Sequence, residues 1–278
     1  MSDQTEAAVA QHYGRDGLLE AILNGLTKLG LETDRIDPVD LAPVDEFHTA
    51  GRVMTIKALD MMPLEPGMSV LDVGCGIGGT SRHLAHERGC TVAGIDLTPE
   101  YIAVAQELTA RTGLNDRCRF KAGSALDMPF EDSSFDAAVT FHVAMNIQDR
   151  ARLYGEIART LRPGGHLCLF DVMKGPAPGM LYPVPWAETG STSFLKSPDE
   201  MRTLLRDAGF RIVAEESQKS FAIDFFRKIF AAAAQSGGPP PLGLHLLTGR
   251  NSPEKFGNYL DALEANQIEP WIMVACRD

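Results

Sequence analysis

The apolar positions of the chain follow two different periods, and the period changes near Pro66-Gly67. Within residues 16–30 the apolar side chains recur at the spacing of one helix face, at Leu18, Leu19, Ile22, Leu23, Leu26 and Leu29. A second helix is predicted from about Phe47 to Met62. Beyond Pro66-Gly67 short apolar runs alternate with helical segments, and these runs are SVLDVG, CTVAGIDL, RCRFKAGS, FDAAVTFH and GHLCLFDV. This alternation predicts a parallel sheet that is covered by helices on both faces.

Local signals place several helix ends in the second part of the chain. Thr98 can cap a helix that has Pro99 in its first position and ends at Gly113. Ser197 and Glu200 have the spacing of a capping box, in which each side chain accepts a hydrogen bond from the backbone amide of the other residue. These signals predict two well-delimited helices in the sheet domain.

A long insertion separates the last two predicted strands, RIVAEE and WIMVAC. Residues 220–266 carry a helix, a proline-rich turn and a second helix. Because insertions of this length between strands are usually functional, we expect 220–266 to form a lid. The predicted organisation is a core of alternating strands and helices, residues 63–278, into which the lid 220–266 is inserted. Residues 1–62 and this insertion together form a helical cap.

Composition narrows the classes of protein that this chain can represent. The length of 278 residues suits one large domain with a lid, and the net charge of −11 argues against nucleic acid and anionic membranes as partners. No apolar run reaches the ~20 residues of a transmembrane helix, and the opening MSDQTEAAVA does not resemble a signal peptide. The five cysteines are dispersed and form no C-x-x-C pattern, so we expect a reducing cytoplasm rather than disulfides.

No metal site is expected from the sequence. His83 and His86 lie three residues apart on a predicted helix, but no acidic or cysteine ligand stands in a suitable pattern beside them, so a solvated face is expected.

A glycine-rich segment, VLDVGCGIGG, leads from the first predicted strand of the sheet into a helix. Glycines suit this place because the turn needs unusual backbone angles and a ligand can approach the bare main chain. Gly74, Gly76 and Gly79 also satisfy the pattern G-x-G-x-x-G, which is typical of nicotinamide dinucleotide sites. Asp96 ends the next strand, where a carboxylate can accept hydrogen bonds from a ribose. Both dinucleotides and adenosyl ligands contain that ribose.

Asp72 separates the two kinds of ligand. A carboxylate two residues before the glycine loop repels a pyrophosphate but attracts an amino group or a sulfonium. The alternative interpretation is that Asp72 only bonds to loop amides and that the glycines only form a tight turn. The charge at this position favours a cationic adenosyl ligand.

Residues 47–171 resemble a class I S-adenosylmethionine-dependent methyltransferase of the small-molecule group, which includes quinone and sterol C-, phosphobase and dimethylglycine N- and sugar O-methyltransferases. The resemblance lies in four ordered motifs, VLDVGCGIGG, GIDLTPEYI, MPFEDSSFDAAV and LRPGGHLCLFDV. It implies a Rossmann-like sheet of seven mostly parallel strands with an antiparallel last strand. It also implies S-adenosyl-L-methionine as the cofactor and a small molecule as the methyl acceptor.

The same resemblance assigns roles at the cofactor end of the site. Gly74, Cys75 and Gly76 are expected beside the methionine part, Asp72 at its amino group and Asp96 at the ribose. The positions expected around the adenine are Leu97, Ser124 and Ala125, and Phe141 and His142 are expected to bind the cofactor where it adjoins the acceptor. Because many relatives carry an acidic residue where Ser124 stands, adenine recognition is expected to rely on the Ala125 amide.

The segment HTAGRVMT supplies two further candidates for the cofactor. Thr49 and Arg52 are expected at the cofactor carboxylate, where Arg52 would form charge-assisted hydrogen bonds. A solvated surface charge is the alternative interpretation of Arg52.

The acceptor end of the site is expected after the fourth strand, at Phe141–Asn146. Relatives often carry an acid at the position of His142 and a histidine at that of Asn146, so the general base of the family cannot be transferred directly. His142 is the first candidate base and His48 the second. The alternative for His142 is a hydrogen-bonded wall of the cofactor pocket, and the alternative for His48 is a helix cap or a hydrogen bond to the main chain. The residues predicted to contact the acceptor are Tyr13, Met145, Asn146, Tyr182 and Trp186.

The sequence therefore predicts a methyltransferase that acts on nitrogen, oxygen or carbon of a small molecule. A noncatalytic or pericyclic protein that retains the cofactor site is the first alternative, because the usual base pattern is missing. A nicotinamide-dependent oxidoreductase is the second, and Asp72 argues against it. The sequence leaves the acceptor and the oligomeric state open.

Overall fold

A seven-stranded sheet forms the centre of the protein. The computed structural model describes residues 3–14, 17–236, 238–249 and 251–278, so the parts of the predicted cap and insertion at 1–2, 15–16, 237 and 250 lie outside the described residues. The strands are β1 (Ser69–Val73), β2 (Thr91–Asp96), β3 (Cys118–Ala122), β4 (Phe135–Phe141), β5 (Leu161–Lys174), β6 (Phe210–Ser217) and β7 (Ile268–Arg277).

The strands lie in the order β3-β2-β1-β4-β5-β7-β6. Strand β7 runs antiparallel to β5 and β6, whereas the pairs among β1 to β5 are parallel. This arrangement confirms the predicted Rossmann-like, mostly parallel sheet with an antiparallel last strand. Because β2 and β4 lie on opposite sides of β1, the carboxyl ends of these strands border the crevice in which α/β sheets bind ligands.

Eleven α-helices of the described residues surround the sheet. Those before β1 are α1 (Asp3–Tyr13), α2 (Leu18–Lys28), α3 (Ala42–Asp45) and α4 (Arg52–Asp60). Those between β1 and β6 are α5 (Gly79–Glu87), α6 (Pro99–Arg111), α7 (Arg150–Thr160) and α8 (Pro198–Asp207). The insertion between β6 and β7 contains α9 (Lys219–Ser236), α10 (His245–Thr248) and α11 (Ser252–Glu264).

The helix ends agree with the sequence signals in most places. The Ser197–Glu200 capping box is present, with the Ser197 amide 2.8 Å from Glu200 Oε2. Thr98 precedes Pro99 as predicted, but its side chain forms no capping bond. The helix predicted from Phe47 begins only at Arg52, because Ala50 and Gly51 adopt positive φ angles of 63° and 50°.

The N-terminal segment and the insertion pack against each other. Leu18, Ile22 and Leu26 of α2 belong to one buried apolar cluster with Leu242 and Leu247. Helix α4 instead packs on the sheet domain itself, so it belongs to the helical layer of the core. The division of the chain at residue 62 and the lid role of 220–266 stay predictions. Within the described part of the chain, no helix combines the length and the apolar character that crossing a membrane requires.

Candidate functional site

A cavity of about 150 Å³ opens at the carboxyl ends of β1, β2 and β4. Helix α1 contributes Glu6, Val9 and Tyr13 to its wall. Most of the residues predicted for the site line this cavity, and they are Tyr13, His48, Asp72, Gly74, Cys75, Gly76, Asp96, Leu97, Ser124, Ala125, Phe141, His142, Met145, Asn146 and Trp186. The fold thus brings together side chains from distant parts of the sequence.

The glycine loop fits closely against its neighbours on one side and opens to the cavity on the other. The amides of Gly74 and Cys75 both donate to the Ile95 carbonyl, at 2.8 and 3.0 Å. A Cβ atom on Gly74 would lie 2.2 Å from a methyl group of Val143, so only glycine fits there. Gly76 has a φ of 52°, and a Cβ atom there would meet no atom within 4 Å. Its open face lets a ligand approach the main chain.

Asp96 holds the loop and faces the cavity. Its two carboxylate oxygens accept hydrogen bonds from the amides of Gly76 and Thr98, each at 2.9 Å. Burial raises the pKa of Asp96 above its ordinary value, and these two amide bonds oppose that shift. Each oxygen has a further lone pair, so the carboxylate can also accept two hydroxyl protons.

Asp72 is a buried carboxyl group at the end of β1. It accepts a hydrogen bond from the Ser81 hydroxyl at 2.6 Å. Burial raises its pKa from 3.8 to about 7, although the Ser81 bond opposes the shift. A cationic group in the cavity would restore the charged form. The positions of Asp72, Asp96 and the open Gly76 therefore fit an adenosyl amino acid.

An acidic side chain reaches the adenine end from α1. The Ser124 hydroxyl donates to Glu6 Oε1 at 2.6 Å, and both residues line the cavity. Many relatives are expected to carry an acidic residue at the position of Ser124. Glu6 supplies a carboxylate at that place from a different element.

His48 also lines the cavity and is held by a buried polar network. The Thr55 hydroxyl lies 2.7 Å from Glu46 Oε2 and 2.9 Å from His48 Nε2. Arg52 donates to the other oxygen of Glu46. Burial lowers the pKa of His48 from 6.5 to about 4. Near pH 7 the imidazole is therefore neutral and has one bare nitrogen.

His142 faces His48 across the end of the cavity. The two ring centroids are 5.9 Å apart, and His142 also lies 4.8 Å from the Phe170 ring. Its backbone has a φ of 55°, and its amide donates to the Phe170 carbonyl at 2.7 Å. Burial lowers its pKa well below the ordinary value. Both candidate bases are therefore buried, neutral imidazoles, His48 within a polar network and His142 against the Phe170 ring.

The side-chain amide of Asn146 links three segments at the acceptor end. Its Oδ1 accepts from the Tyr13 hydroxyl at 2.9 Å, while Nδ2 donates to the carbonyls of Trp186 and Thr192, each at 2.8 Å. Its amide thereby fastens both α1 and the loop of Trp186. Met145 and Trp186, both buried, complete the apolar wall.

A second, smaller cavity of about 20 Å³ adjoins the first at the acceptor end. Its aromatic wall comes from the loop after β5 and from the insertion helices α9 and α11. The residues that line it are Phe47, His48, Thr49, His142, Pro185, Trp186, Phe226, Leu244, Phe256 and Tyr259.

Three predicted site residues lie outside the main cavity. Thr49 lines the second cavity, and its hydroxyl is 2.6 Å from that of Tyr259. Arg52 donates to Glu46 and does not line the main cavity. Tyr182 packs beside Gly190 and does not reach the lining. The geometry therefore does not place Thr49 or Arg52 at the cofactor end, nor Tyr182 at the acceptor.

Sequence reasoning missed several residues of the site. Glu46 stands directly before the FHTAG segment, so an acidic residue near a candidate histidine was a signal for it. Glu6 and Thr55 had no such signal, since only the folded chain brings them to Ser124 and His48. Phe226 of α9 belongs to a buried apolar cluster and also lines the second cavity.

The prediction for the histidines of α5 was wrong in part. His83 is buried, and His86 is exposed. Across the described ranges, no group of three or more histidine, cysteine or acidic side chains is arranged to hold a metal ion. Burial raises the pKa of Cys75 well above its ordinary value, which favours the neutral thiol and a packing role.

An α/β sheet with a glycine loop, the strand-end carboxylate of Asp96 and the buried Asp72 beside one cavity fits a protein that binds a cationic adenosyl ligand. Residues 71–169 match the family model described as "Methyltransferase domain". The O-methyltransferase resE of Aspergillus sclerotiorum is 31% identical over 211 residues, which are 75% of this chain and 78% of that protein. The chain belongs to the class I S-adenosylmethionine-dependent methyltransferases.

Solved structures share the fold. A geranyl diphosphate C-methyltransferase from Streptomyces coelicolor A3(2), in complex with Mg²⁺, geranyl diphosphate and S-adenosyl-L-homocysteine, matches with a TM-score of 0.73 at 16% identity over 100% of this chain and 99% of that one. The [4+2]-cyclase SpnF matches with a TM-score of 0.68 at 23% identity, over 98% and 96% of the two chains. The chain spans about half the length of several other curated relatives that it matches.

Proposed function

We propose that this chain transfers a methyl group from S-adenosyl-L-methionine to nitrogen, oxygen or carbon of a small-molecule acceptor. The observation that carries this proposal is one cavity that is lined both by the carboxyl groups of Asp72 and Asp96 and by the buried imidazoles of His48 and His142. When bound, the cofactor supplies an electrophilic methyl group and leaves as S-adenosylhomocysteine. Such a transfer depends chiefly on alignment and on exclusion of water.

The cofactor end suits this ligand residue by residue. Asp96 accepts the ribose hydroxyl protons, and Asp72 binds the amino group of the methionine part. The loop from Gly74 to Gly76 lies along that part, with Cys75 as packing. Leu97 and Phe141 pack on the adenine ring. The edge of the adenine faces Ser124 and Ala125, and Glu6 lies beside these two residues. These assignments combine the lining of the cavity with the carboxylates that face it.

The acceptor end excludes water and can accept a proton. Tyr13, Met145 and Trp186 form the wall there, and Asn146 fixes their relative positions through its amide. His48 or His142 removes a proton when the acceptor arrives protonated. We further propose a cytoplasmic location and no nucleic acid partner, which the net charge of −11 and the dispersed cysteines support.

The experiment that tests the cofactor site is a calorimetric titration with S-adenosylhomocysteine. The wild-type protein is expected to bind it, and Asp96→Ala is expected to bind at least about tenfold more weakly, because charge-assisted hydrogen bonds contribute roughly 1.5–3 kcal/mol each. Circular dichroism checks that the variant is folded. Equal affinities of the two proteins would remove Asp96 from the site.

Methyl transfer itself is tested by incubating the protein with S-adenosylmethionine and a pool of acceptors. Mass spectrometry is expected to show a product heavier by one methyl group, formed together with S-adenosylhomocysteine.

A protein that binds the cofactor but performs no methyl transfer is the second candidate. The observation that favours it is the amide of Asn146, which is fully engaged with Tyr13, Trp186 and Thr192 and supplies no base. This candidate predicts tight binding of S-adenosylhomocysteine without consumption of S-adenosylmethionine. An acceptor that rearranges to an isomer of unchanged mass would support it.

A further inference from the structure

The loop after β5 carries Trp186 on a short segment, residues 182–188, which we call the strap. Trp186 lines both cavities and is 2% exposed. The Val184 amide donates to the Ala187 carbonyl at 2.8 Å, and the Ala187 amide donates to the Val184 carbonyl at 3.1 Å. These bonds close a tight turn with Pro185 and Trp186 at its end. Because the strap lies outside the seven strands of the sheet, its position depends on side chains of other elements.

Side chains of three different elements contact carbonyl groups of the strap. Asn146, which follows β4, and Asn258 of α11 each donate to one of these carbonyls at 2.8 Å. Nε2 of His12 in α1 lies 3.2 Å from a third carbonyl, that of Pro185. The backbone of the strap is therefore held from several sides.

An ion pair holds the end of the strap. Nζ of Lys255 in α11 lies 2.6 Å from Oε1 of Glu188, and Asn251 donates to Oε2 of the same carboxylate at 3.1 Å. The side chain of Lys255 is 1% exposed, whereas that of Glu188 is 52% exposed. Nζ also donates to the Thr248 carbonyl at 3.3 Å. One buried ammonium group thus connects the strap to the end of α10, where Leu247 lines the main cavity.

The contacts of α11 with the strap come from one face of this helix. Lys255, Asn258 and Tyr259 are three to four residues apart, so their side chains lie on the same side. The Tyr259 ring is 6.0 Å from the Trp186 ring, at an interplanar angle of 87°. Lys255 and Tyr259 are both buried. Because a polar group in the interior is costly unless it is paired, the partners of this face restrict where the strap can lie.

The Lys255–Glu188 pair is better suited to fixing a position than to adding stability. An apolar side chain of similar volume can stabilise a protein as well as a buried ammonium, since removing the charge from water offsets much of the gain from pairing. The ammonium differs in requiring its oxygen partners at hydrogen-bond distance. The pair therefore favours one arrangement of the strap, α10 and α11.

From these observations we propose that Lys255 is a positioning residue for methyl transfer, which holds the strap and the end of α10 against the site through Glu188 and Thr248. The insertion thereby determines the shape of the space that is offered to the acceptor. The proposal rests on the proposed function, in which Trp186 belongs to the acceptor wall. Lys255 acts through the residues that line the cavities.

The position of the strap is tested through the fluorescence of Trp186. The chain has two tryptophans, so a Trp271→Phe background leaves Trp186 as the emitting tryptophan. Lys255→Met removes the ammonium and keeps most of the side-chain volume. We expect acrylamide to quench Trp186 at least about threefold more strongly in this variant, because local opening exposes a side chain that is now buried. Circular dichroism and urea denaturation check that the variant is folded.

The other half of the pair and an exposed pair supply the comparison. Glu188→Ala should raise the quenching of Trp186 to a similar extent, and the double variant should be quenched no more than Lys255→Met, since the two residues act as a unit. Arg227→Met is the matched control. Arg227 of α9 and Glu264 of α11 form an exposed ion pair at 2.7 Å in the same insertion. Quenching in this control should equal that of the parent protein.

Unchanged quenching in Lys255→Met would overturn the proposal, even if the free energy of unfolding fell, since such a result shows a role in stability alone. An increase that is absent from Glu188→Ala would overturn it as well, because the strap would then be held by packing around residue 255. If Lys255→Met does not fold, Glu188→Ala decides, since its half-exposed position tolerates the change.

The consequence for catalysis is measured with S-adenosylmethionine and the pool of acceptors. Lys255→Met is expected to form methylated product at least about tenfold more slowly than the wild type, because small displacements of the reacting groups are costly. Arg227→Met should retain the wild-type rate. A wild-type rate in Lys255→Met would contradict the positioning role. If the wild-type protein methylates no acceptor, the proposed function fails, whereas the quenching, measured without any ligand, still decides whether Lys255 holds the strap.

Discussion

At the residue scale, burial decides the charge of the groups that face the cavity. Asp72 lies in the protein interior, where its charged form loses hydration, and its pKa is raised to about 7. The ligand proposed for it carries a positive amino group, which attracts the carboxylate form. Binding of that ligand therefore converts a partly protonated Asp72 to its charged form and releases a proton.

The affinity for S-adenosylhomocysteine is accordingly expected to depend on pH. Below about pH 7 the free protein holds the Asp72 proton, so the affinity should rise between pH 6 and pH 7 and level off above pH 8. Calorimetry in two buffers of different ionisation enthalpy measures the released proton directly. Asp72→Asn should bind more weakly at pH 8 and should release less proton. Asp261→Asn, an exposed carboxyl change on α11, should behave like the wild type.

His48 is expected to titrate far below an ordinary histidine. Its pKa is lowered to about 4 by burial, so the imidazole should stay neutral as the pH falls from 8 to about 5. Nuclear magnetic resonance of the ring carbons and nitrogens follows both its titration and its tautomer, and His48→Gln assigns the signal. The Nε2–H tautomer is expected, since Thr55 accepts from this nitrogen.

Thr55→Val should alter that tautomer equilibrium, whereas Thr55→Ser should retain it, because serine keeps the hydroxyl. A midpoint near pH 6.5 or a predominant Nδ1–H tautomer in the wild type would argue against the proton-accepting role.

The residues of the cofactor end could be predicted because they belong to one strand–loop–helix unit and to the ends of adjacent strands. Asp72, Gly74 and Gly76 are close in the chain, and Asp96 lies at the end of the next strand. The environment of His48 was not predictable in this way. It depends on the positive φ angles of Ala50 and Gly51, which turn the chain so that Thr55 meets both Glu46 and His48.

At the element scale, helix α1 contributes to the site although the pattern of apolar residues did not predict it. Its side chains are mostly small or polar, with Val9 as a buried apolar residue. The helix is held over the cavity by specific hydrogen bonds, from Tyr13 to Asn146 and from Ser124 to Glu6. Such partners lie over 100 positions apart in the sequence, beyond the reach of local patterns.

Helix α1 is expected to become more protected when the cofactor binds. S-adenosylhomocysteine would rest against Ser124 and Glu6, and would add contacts to a helix that now has few apolar ones. Hydrogen exchange should therefore slow by about tenfold or more in α1, while α8 on the far part of the sheet serves as the unaffected control.

Glu6→Gln should reduce this protection and leave that of α8 unchanged. Equal exchange of α1 with and without the ligand would show that the helix does not respond to the cofactor.

At the scale of the whole molecule, the sheet and its antiparallel last strand agreed with the prediction. The apolar runs predict the strands, and the family motifs lie on those same strands.

The contact between the N-terminal segment and the insertion was only partly predicted. A cap built from both ends was expected, but the contact of α2 with the turn at Pro241 was not, and a Cβ atom on Gly25 would lie 2.6 Å from the Pro241 carbonyl oxygen. Nothing local to α2 indicates so close an approach.

A buried ion pair ties the N-terminal segment to the sheet domain. Arg82 of α5 and Asp45 of α3 are both buried, and Nη2 of Arg82 lies 2.5 Å from Asp45 Oδ1. Arg82 also donates to the Thr109 hydroxyl at 3.2 Å, which links α3, α5 and α6. Because a charge left without its partner in the interior is costly, the pair matters most when only one member is removed.

Arg82→Met is therefore expected to lower the free energy of unfolding by about 3–5 kcal/mol, measured by urea denaturation. The measurement is made at pH 8, where the carboxyl group of Asp45 is charged in the wild-type protein. The double change Asp45→Asn with Arg82→Met removes the buried charge as well, and should recover a large part of that loss. Arg206→Met, at an exposed position on α8, is the matched control and should change stability by less than about 0.5 kcal/mol. If the double variant were as unstable as Arg82→Met, the loss would come from packing around the arginine. In that case the N-terminal segment would be held chiefly by the apolar cluster of α2 and α10.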